Sequence, residues 1–244
     1  MGQLLQGKVA VVTGASKGIG LAIVQCFLQE GATVYAVARH TETLAELSAQ
    51  NQGIMPVSLD VTDQSGAKEL FLQIKKEQGG LDILVNNAAV EYNEKLGMIT
   101  RSSMVDTFET NVYALIEWMQ LSARLMQRKK SGSIINITSR VGENGNPGQL
   151  VYAASKGAVI AATKSAAKEL AVYQIRVNAI APGLTDTDMF RKVPLEIMQK
   201  RISQICMGRL AQPSEIADAA LFLASDLAGF VSGQVLAVDG CTVI

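Results

Sequence analysis

The 244-residue chain is poor in several residue types that carry common chemistries. It has one histidine, His40, standing beside Arg39. A Ser-His-Asp hydrolase or a His-ligated zinc dehydrogenase would have to be built around that residue alone. Proton chemistry is therefore expected from other groups. The three cysteines, Cys26, Cys206 and Cys241, are widely scattered. They form no Cys-x-x-Cys pair and no metal-ligand cluster, and an odd number argues against a disulfide framework. Reduced thiols and no metal are expected. Charge of one sign is lacking too, since 22 Lys and Arg balance 22 Asp and Glu. This predicts no nucleic-acid partner and no anionic membrane surface. No apolar run reaches the roughly 18 residues of a membrane span. The amino terminus, Met1-Gly2-Gln3-Leu4-Leu5-Gln6, has neither the charged start nor the long apolar core of a signal peptide, which predicts a cytoplasmic protein.

What is present is apolar sequence, 48% of the chain, arranged in alternation. Short β-branched runs predict strands at Lys8–Thr13, Thr33–Ala38, Ile54–Leu59, Asp82–Asn86, Ser133–Thr138, Ile175–Ile180 and Gln234–Val238. Most are apolar throughout, as parallel strands buried on both faces are. Between them, helical patterns cover Ile19–Glu30, Thr41–Gln50, Gln64–Glu77, Thr100–Arg128, Val151–Tyr173 and Pro213–Ala224. Strand–helix alternation predicts an α/β fold with one doubly wound parallel sheet of about seven strands, helices on both faces. With no repeat, linker or low-complexity tract, a single domain over 1–244 is expected.

The first strand runs into Thr13-Gly14-Ala15-Ser16-Lys17-Gly18-Ile19-Gly20 and then a helix. Glycines there permit a tight turn and let backbone N–H groups approach a pyrophosphate at the positive helix end. A dinucleotide site is expected at Gly14, Ser16, Lys17, Gly18, Ile19 and Gly20. NAD sites carry an acid at the end of the second strand, whereas NADP sites need a cation for the 2′-phosphate. Here the strand ends in Ala38-Arg39-His40, without a carboxylate. Arg39 with Lys17 predicts NADP(H). Asp60-Val61, after the third strand, places a carboxylate where it can accept from the adenine amino group. Asn86-Asn87-Ala88-Ala89 supplies small residues where backbone must pass close to the cofactor.

Tyr152 and Lys156 lie four residues apart on a predicted helix, so both project from one face. A free tyrosine has a pKa of about 10. A neighbouring ammonium stabilises the phenolate, which predicts a lowered tyrosine pKa and useful acid–base chemistry. Ser139, at the end of the fifth strand, brings a hydroxyl to the same sheet edge, where ligands of open α/β sheets bind.

With these motifs in order, the chain resembles the short-chain dehydrogenase/reductase family over essentially its whole length. The matching elements are Thr13–Gly20, Asp60-Val61, Asn86-Asn87-Ala88, Asn111, Ser139, Tyr152 with Lys156, Pro182-Gly183-Leu184-Thr185-Asp186-Thr187, and Gly233 to Gly240. The resemblance implies that Tyr152 gives the proton, Ser139 polarises the substrate oxygen, and Lys156 binds the nicotinamide ribose and tunes the tyrosine. It implies that Asn111 holds a water linking the lysine to solvent. Pro182, Gly183, Leu184, Thr185 and Thr187 would line the carboxamide end of the nicotinamide. It also implies a homotetramer, with the helix Thr100–Arg128, the helix Val151–Tyr173 and the last strand at the contacts. The first of these presents Phe108, Val112, Leu115, Met119 and Met126 at helical spacing. Two departures stand out. Ala89 replaces the usual glycine after Asn-Asn-Ala, and Cys241 replaces a glycine near the C-terminus.

Within the family the chain is most similar to 3-oxoacyl-[acyl-carrier-protein] reductases, on Gly145-Asn146-Pro147-Gly148-Gln149, Arg176-Val177-Asn178 and Phe222-Leu223-Ala224-Ser225-Asp226. That implies a small carbonyl or alcohol substrate carried on an acyl carrier protein, in fatty-acid or polyketide assembly. Arg128-Lys129-Lys130 is the candidate basic patch for the carrier, whereas Val172-Tyr173-Gln174 stands where such enzymes are often basic. A lid is expected near 186–209, with Met189, Phe190, Leu195, Ile197, Met198, Ile202, Ile205 and Met207 as its apolar cover. Glu91, Tyr92, Asn93 and Gln149 are candidate rim residues. A dehydrogenase for a sugar, polyol, steroid or small alcohol, and a non-catalytic NADP sensor, stay open.

Overall fold

The computed structural model describes residues 3–187 and 195–242, with 195–197 described by their backbone alone. Seven strands form one parallel sheet in the order β3-β2-β1-β4-β5-β6-β7. They are β1 (Val9–Thr13), β2 (Thr33–Ala38), β3 (Ile54–Ser58), β4 (Ile83–Asn86), β5 (Gly132–Ile137), β6 (Ile175–Pro182) and β7 (Val235–Val238). The helices are α1 (Gly18–Gln29), α2 (Glu42–Gln50), α3 (Gln64–Gln78), α4 (Arg101–Phe108), α5 (Leu115–Lys129), α6 (Val141–Asn144), α7 (Leu150–Leu170), α8 (Leu195–Ile202) and α9 (Pro213–Ala224). This is the doubly wound α/β sheet that the alternation predicts. Strand order reverses between β1 and β4, and in such sheets ligands bind at that switch point, outside the carboxyl ends of the strands.

Alternate residues of each strand feed two separate cores, because successive strand side chains point to opposite faces. On one face Ala10, Val12, Val34, Ile83, Ile135 and Ile180 pack with Ile23 and Phe27 of α1 and Ile216 and Leu223 of α9. On the other, Val11, Tyr35, Leu84, Ile134 and Val177 meet Phe71 of α3, Trp118 of α5 and Val159 of α7. Burying a large apolar side chain contributes about 1.5–3 kcal/mol, so central strands that are buried throughout tie both layers together. A buried polar chain crosses the second layer. Asn86 Nδ2 donates to Asn136 Oδ1 at 2.9 Å, and Asn136 Nδ2 donates to Thr163 Oγ1 at 2.9 Å. Such groups fix the β4–β5–α7 register, because an unpaired buried amide is costly.

Helix ends follow local chemistry. Asp63 caps α3 by accepting from Ser65 N and Gly66 N at 3.1 and 3.0 Å, and Thr100 caps α4 by accepting from Ser103 N at 3.1 Å. Several sequence-based bounds shift. The single helix expected over Thr100–Arg128 is divided by a π-helical turn, Glu109–Ala114, between α4 and α5. The cause is tertiary. Asn111 turns inward to exchange two hydrogen bonds with Val90, at 2.8 and 2.9 Å, and to donate to Ser155 Oγ at 3.1 Å. The helix expected to reach Tyr173 ends at Leu170 and closes with a 3₁₀ turn, Ala171–Tyr173. The sixth strand runs on to Pro182, which pairs with Val238.

Candidate active site

The carboxyl ends of β1 and β4 meet at Thr13. Its hydroxyl accepts from Asn87 N at 3.0 Å and Ala88 N at 3.1 Å, while Asn87 Nδ2 donates back to the Thr13 and Gly14 carbonyls at 3.0 and 3.1 Å. Here the chain has no room for side chains. A β-carbon on Gly14 would lie 2.9 Å from Ala88 Cα, and one on Gly20 would lie 2.2 Å from the Gly14 carbonyl oxygen. The glycines thus draw the start of α1 down onto β1 and β4. That start has no capping side chain and no acid in its first turn, and its N-cap is Lys17. An uncapped twelve-residue helix beside a cation is suited to an anion. Ser16, Lys17, Gly18 and Ile19 are the residues that could hold a pyrophosphate in this cradle. Thr187 stands across the groove, its methyl 3.4 Å from where a Gly18 β-carbon would be.

At the end of β2, Arg39 is exposed and stands 4.0 Å from Asp60. Asp60 accepts from Thr62 N at 3.0 Å and Thr62 Oγ1 at 2.8 Å, an Asx turn that leaves the helix cap to Asp63. Val61 lines a small cavity with Thr13, Asn86 and Ala88. Beyond Pro182, Gly183 N donates to Val238 O at 2.9 Å, Thr185 pairs with Ala211, and Ala211 N donates to Leu184 O at 3.0 Å. These contacts hold Leu184–Thr187 at the groove.

Ser139, Tyr152, Lys156 and Asn111 converge where β5, α7 and the π turn meet. Ser139 follows β5, and its Oγ accepts from Val141 N at 3.2 Å. Lys156 is buried. Its Nζ donates to Ile137 O at 2.8 Å and lies 5.6 Å from the centre of the Tyr152 ring. Ser155 Oγ, held by Asn111, donates to the Tyr152 carbonyl at 2.7 Å. Electrostatics correct one expectation. Burial, with the Glu91 carboxylate second, raises the Tyr152 phenol well above its ordinary value, and a hydrogen bond from Ser139 opposes this only in part. Burial also pushes the Lys156 ammonium down to about 8. The phenol is not lowered because its burial, reinforced by the Glu91 carboxylate, outweighs the Ser139 hydrogen bond, while the lysine ammonium donates to Ile137 O.

Sequence reasoning placed Glu91 only at the rim. Its carboxylate accepts from Gln149 Nε2, and from Asn93 Nδ2 at 3.1 Å, which aims its charge at the tyrosine and lysine. Arg140 was missed altogether. It pairs with Glu143 and, through Nε at 2.8 Å, with Asp239, joining the segment after β5 to that after β7. No motif marks these loop-to-loop contacts. The basic triplet is misplaced by the sequence reading. α5 runs back from the site, so Arg128, Lys129 and Lys130 lie at the start of β5, where Lys129 meets Asp82 at 2.5 Å. They do not flank this chain's own site. Of the lid residues, Met189 and Phe190 lie outside the described residues, while Ile205 is buried and Met207 exposed. Ala89 keeps a backbone outside the left-handed region, whereas Cys241 takes φ 58°. Among the described residues no helix is long and apolar enough to cross a membrane.

A family model described as enoyl-(acyl carrier protein) reductase matches residues 14–241. The chain is 41% identical to a 3-oxoacyl-[acyl-carrier-protein] reductase of Thermotoga maritima, over 98% of this chain and 99% of that one. It is 39% identical to a protein of the same name from Haemophilus influenzae, over 97% and 98%. It is also 37% identical to a 3alpha-hydroxysteroid dehydrogenase of Mediterraneibacter gnavus, over 98% of both chains. Fold, site geometry and full-length similarity agree, and the chain belongs to the short-chain dehydrogenase/reductase family of nicotinamide-dependent oxidoreductases.

Proposed function

We propose that the chain is an NADP(H)-dependent ketoreductase that converts a 3-oxoacyl thioester, borne on an acyl carrier protein, to the secondary alcohol. The observation that carries this reading is the convergence of Ser139, Tyr152 and buried Lys156 at the mouth of a glycine-built anion cradle. The thioester is suggested by the names of the Thermotoga and Haemophilus relatives. When bound, the nicotinamide supplies the hydride to the carbonyl carbon. Tyr152, a phenol that is protonated at neutral pH and whose burial disfavours the phenolate, donates its proton to the carbonyl oxygen. Ser139 donates a hydrogen bond to the same oxygen. Lys156 holds the ribose with its ammonium. Asn111 Oδ1 accepts one bond from Val90 N and keeps a lone pair for the water between lysine and solvent. Pro182, Gly183, Leu184, Thr185 and Thr187 line the carboxamide side.

NADP(H) is favoured over NAD(H) by the loosely paired, exposed Arg39 and by the lack of an acid at the end of β2. A charge-assisted contact is worth about 1.5–3 kcal/mol. Arg39→Ala is therefore expected to weaken NADPH binding by roughly ten- to a hundredfold with NADH affinity nearly unchanged. Fluorescence titration of both cofactors checks this, and a wild type that prefers NADH overturns it.

The steroid dehydrogenase relative, at almost equal identity and coverage, favours a second reading in which the substrate is a hydroxysteroid. A substrate panel separates the readings. With NADPH, acetoacetyl thioesters are expected to give the highest kcat/KM, above 3-ketosteroids, keto sugars and simple ketones. A steroid preference transfers the function to the second reading, and no turnover with any carbonyl favours a cofactor sensor. We further propose one catalytic domain whose segment 186–209 covers the substrate, and a homotetramer. Of the helical residues first expected at subunit contacts, Val112, Leu115, Met119 and Met126 are buried within the chain and Phe108 is half-buried. Val105, Tyr113 and Ile116 are exposed on the same α4–α5 stretch and suit that role.

A further inference from the structure

Cys206 and Cys241 are far apart in sequence, one after α8 and the other after β7, yet the fold sets them face to face. Ile205 and Thr242 form an antiparallel bridge. Cys206 N donates to Cys241 O at 3.3 Å, and Met207 N donates to Gly240 O at 3.1 Å. Residues opposed in this way have Cα atoms about 4.5–5.5 Å apart, inside the roughly 4.4–6.8 Å that a disulfide spans. The two side chains share one face, with their thiols in hydrogen-bonding contact and Asp239 nearby. Both cysteines are exposed. The third, Cys26 on α1, is half-buried, has its thiol pushed up to about 11 by burial and faces no second thiol. The Cys206 thiol is raised too, chiefly by its hydrogen bond with Cys241, so exposure and juxtaposition set the pair apart. Cys241 also stands at φ 58°, a left-handed conformation that glycine adopts freely and a β-carbon strains. A side chain kept in such a place points to a role for it.

We propose that Cys206 and Cys241 form a reversible disulfide, a redox clasp that fastens the segment after α8 to the C-terminal tail. The oxidant is a small-molecule disulfide. The thiolate of one cysteine attacks it, forming a mixed disulfide and releasing one thiol, which takes up the proton. The opposed cysteine then attacks the protein-side sulfur, closes the intramolecular bond and expels the second thiol. Two protein thiols are oxidised, one small disulfide is reduced to two thiols, and no other reactant is needed. The bond closes a loop of about 35 residues that contains α9 and β7, restricting the unfolded chain.

The test incubates the full-length protein with glutathione disulfide, then counts free thiols after denaturation and maps the peptides by mass. The three thiols of the wild type are expected to fall to one. A linked peptide pair containing Cys206 and Cys241 should appear, and dithiothreitol should restore all three. The apparent Tm of the oxidised form should rise by roughly 5–10 °C. Cys206→Ser and Cys241→Ser should each keep one glutathione on the remaining partner, since nothing can resolve the mixed disulfide. Three free thiols after incubation overturn the clasp. So does glutathione retained on both cysteines, or a bond between two copies on a non-reducing gel.

Discussion

Tyr152→Phe is expected to lower turnover by at least about 10²–10⁴-fold, the usual worth of general acid help, while cofactor affinity stays near wild type. The substitution removes one oxygen and keeps the ring on α7, so the packing near Lys156 survives. Burial and the Glu91 carboxylate hold the phenol in its acid form throughout the neutral range, the form that reduction needs. Reductive turnover should therefore show no loss on the tyrosine's account as pH rises through 7. Alcohol oxidation needs the phenolate and should climb with alkaline pH, and that rise should vanish in Tyr152→Phe. The measurements are NADPH consumption against pH and fluorescence titration of the cofactor. Near wild-type turnover in the variant sinks the assignment. The one histidine, His40, is exposed after the end of β2 and offers no substitute.

Lys156→Ala is expected to lower affinity and turnover together. The charge-assisted contact to ribose is worth about 1.5–3 kcal/mol, so affinity should fall by roughly ten- to a hundredfold. Turnover should fall further, because the phenol loses its neighbouring cation. The substitution also leaves Ile137 O without the ammonium that donates to it at 2.8 Å. Circular dichroism and Tm must accompany the kinetics, to separate this from a folding defect. The pH profile distinguishes the charge from the bulk. A lysine whose pKa is pushed down to about 8 is cationic below that value and neutral above it. Wild-type NADPH affinity should be flat up to about that pH and decline beyond it, whereas Lys156→Ala should show no such step. An affinity that falls by the same factor at every pH in both proteins would leave the ammonium no part in binding.

Much of this could be read before any coordinates. Strands buried on both faces, such as β1 and β5, announce themselves as unbroken apolar runs. The glycines at 14, 18 and 20 encode a close approach that only a missing β-carbon allows. Tyr152 and Lys156 are legible because helical spacing alone puts them on one face. Other features arise only where distant segments meet. The direction of the tyrosine's shift is set first by its burial and then by Glu91, brought in by the loop after β4. The Arg128–Lys130 triplet is conspicuous in sequence, but the return path of α5 carries it to the opposite sheet edge from Tyr152. The helix break at 109–114 has no proline or glycine to betray it, because Val90 and Ser155 reshape it through Asn111.

That break sets the two halves of a long helix out of phase. An α-helix advances about 100° per residue, and a π turn holds roughly one residue more than the turn it replaces. α4 and α5 therefore have independent rotational settings. α5 points Trp118, Met119 and Met126 inward, while α4 buries Ser103 and Thr107. Losing a single residue between Glu109 and Ala114 would rotate α4 by about 100° against α5 and swing Asn111 off Ser155. The number of residues in this segment is thus under tighter constraint than many of their identities. Exposed Glu109 and Gln120 can drift in sequence, but an insertion or deletion beside them would dismantle the contacts behind Tyr152 without touching a reacting group.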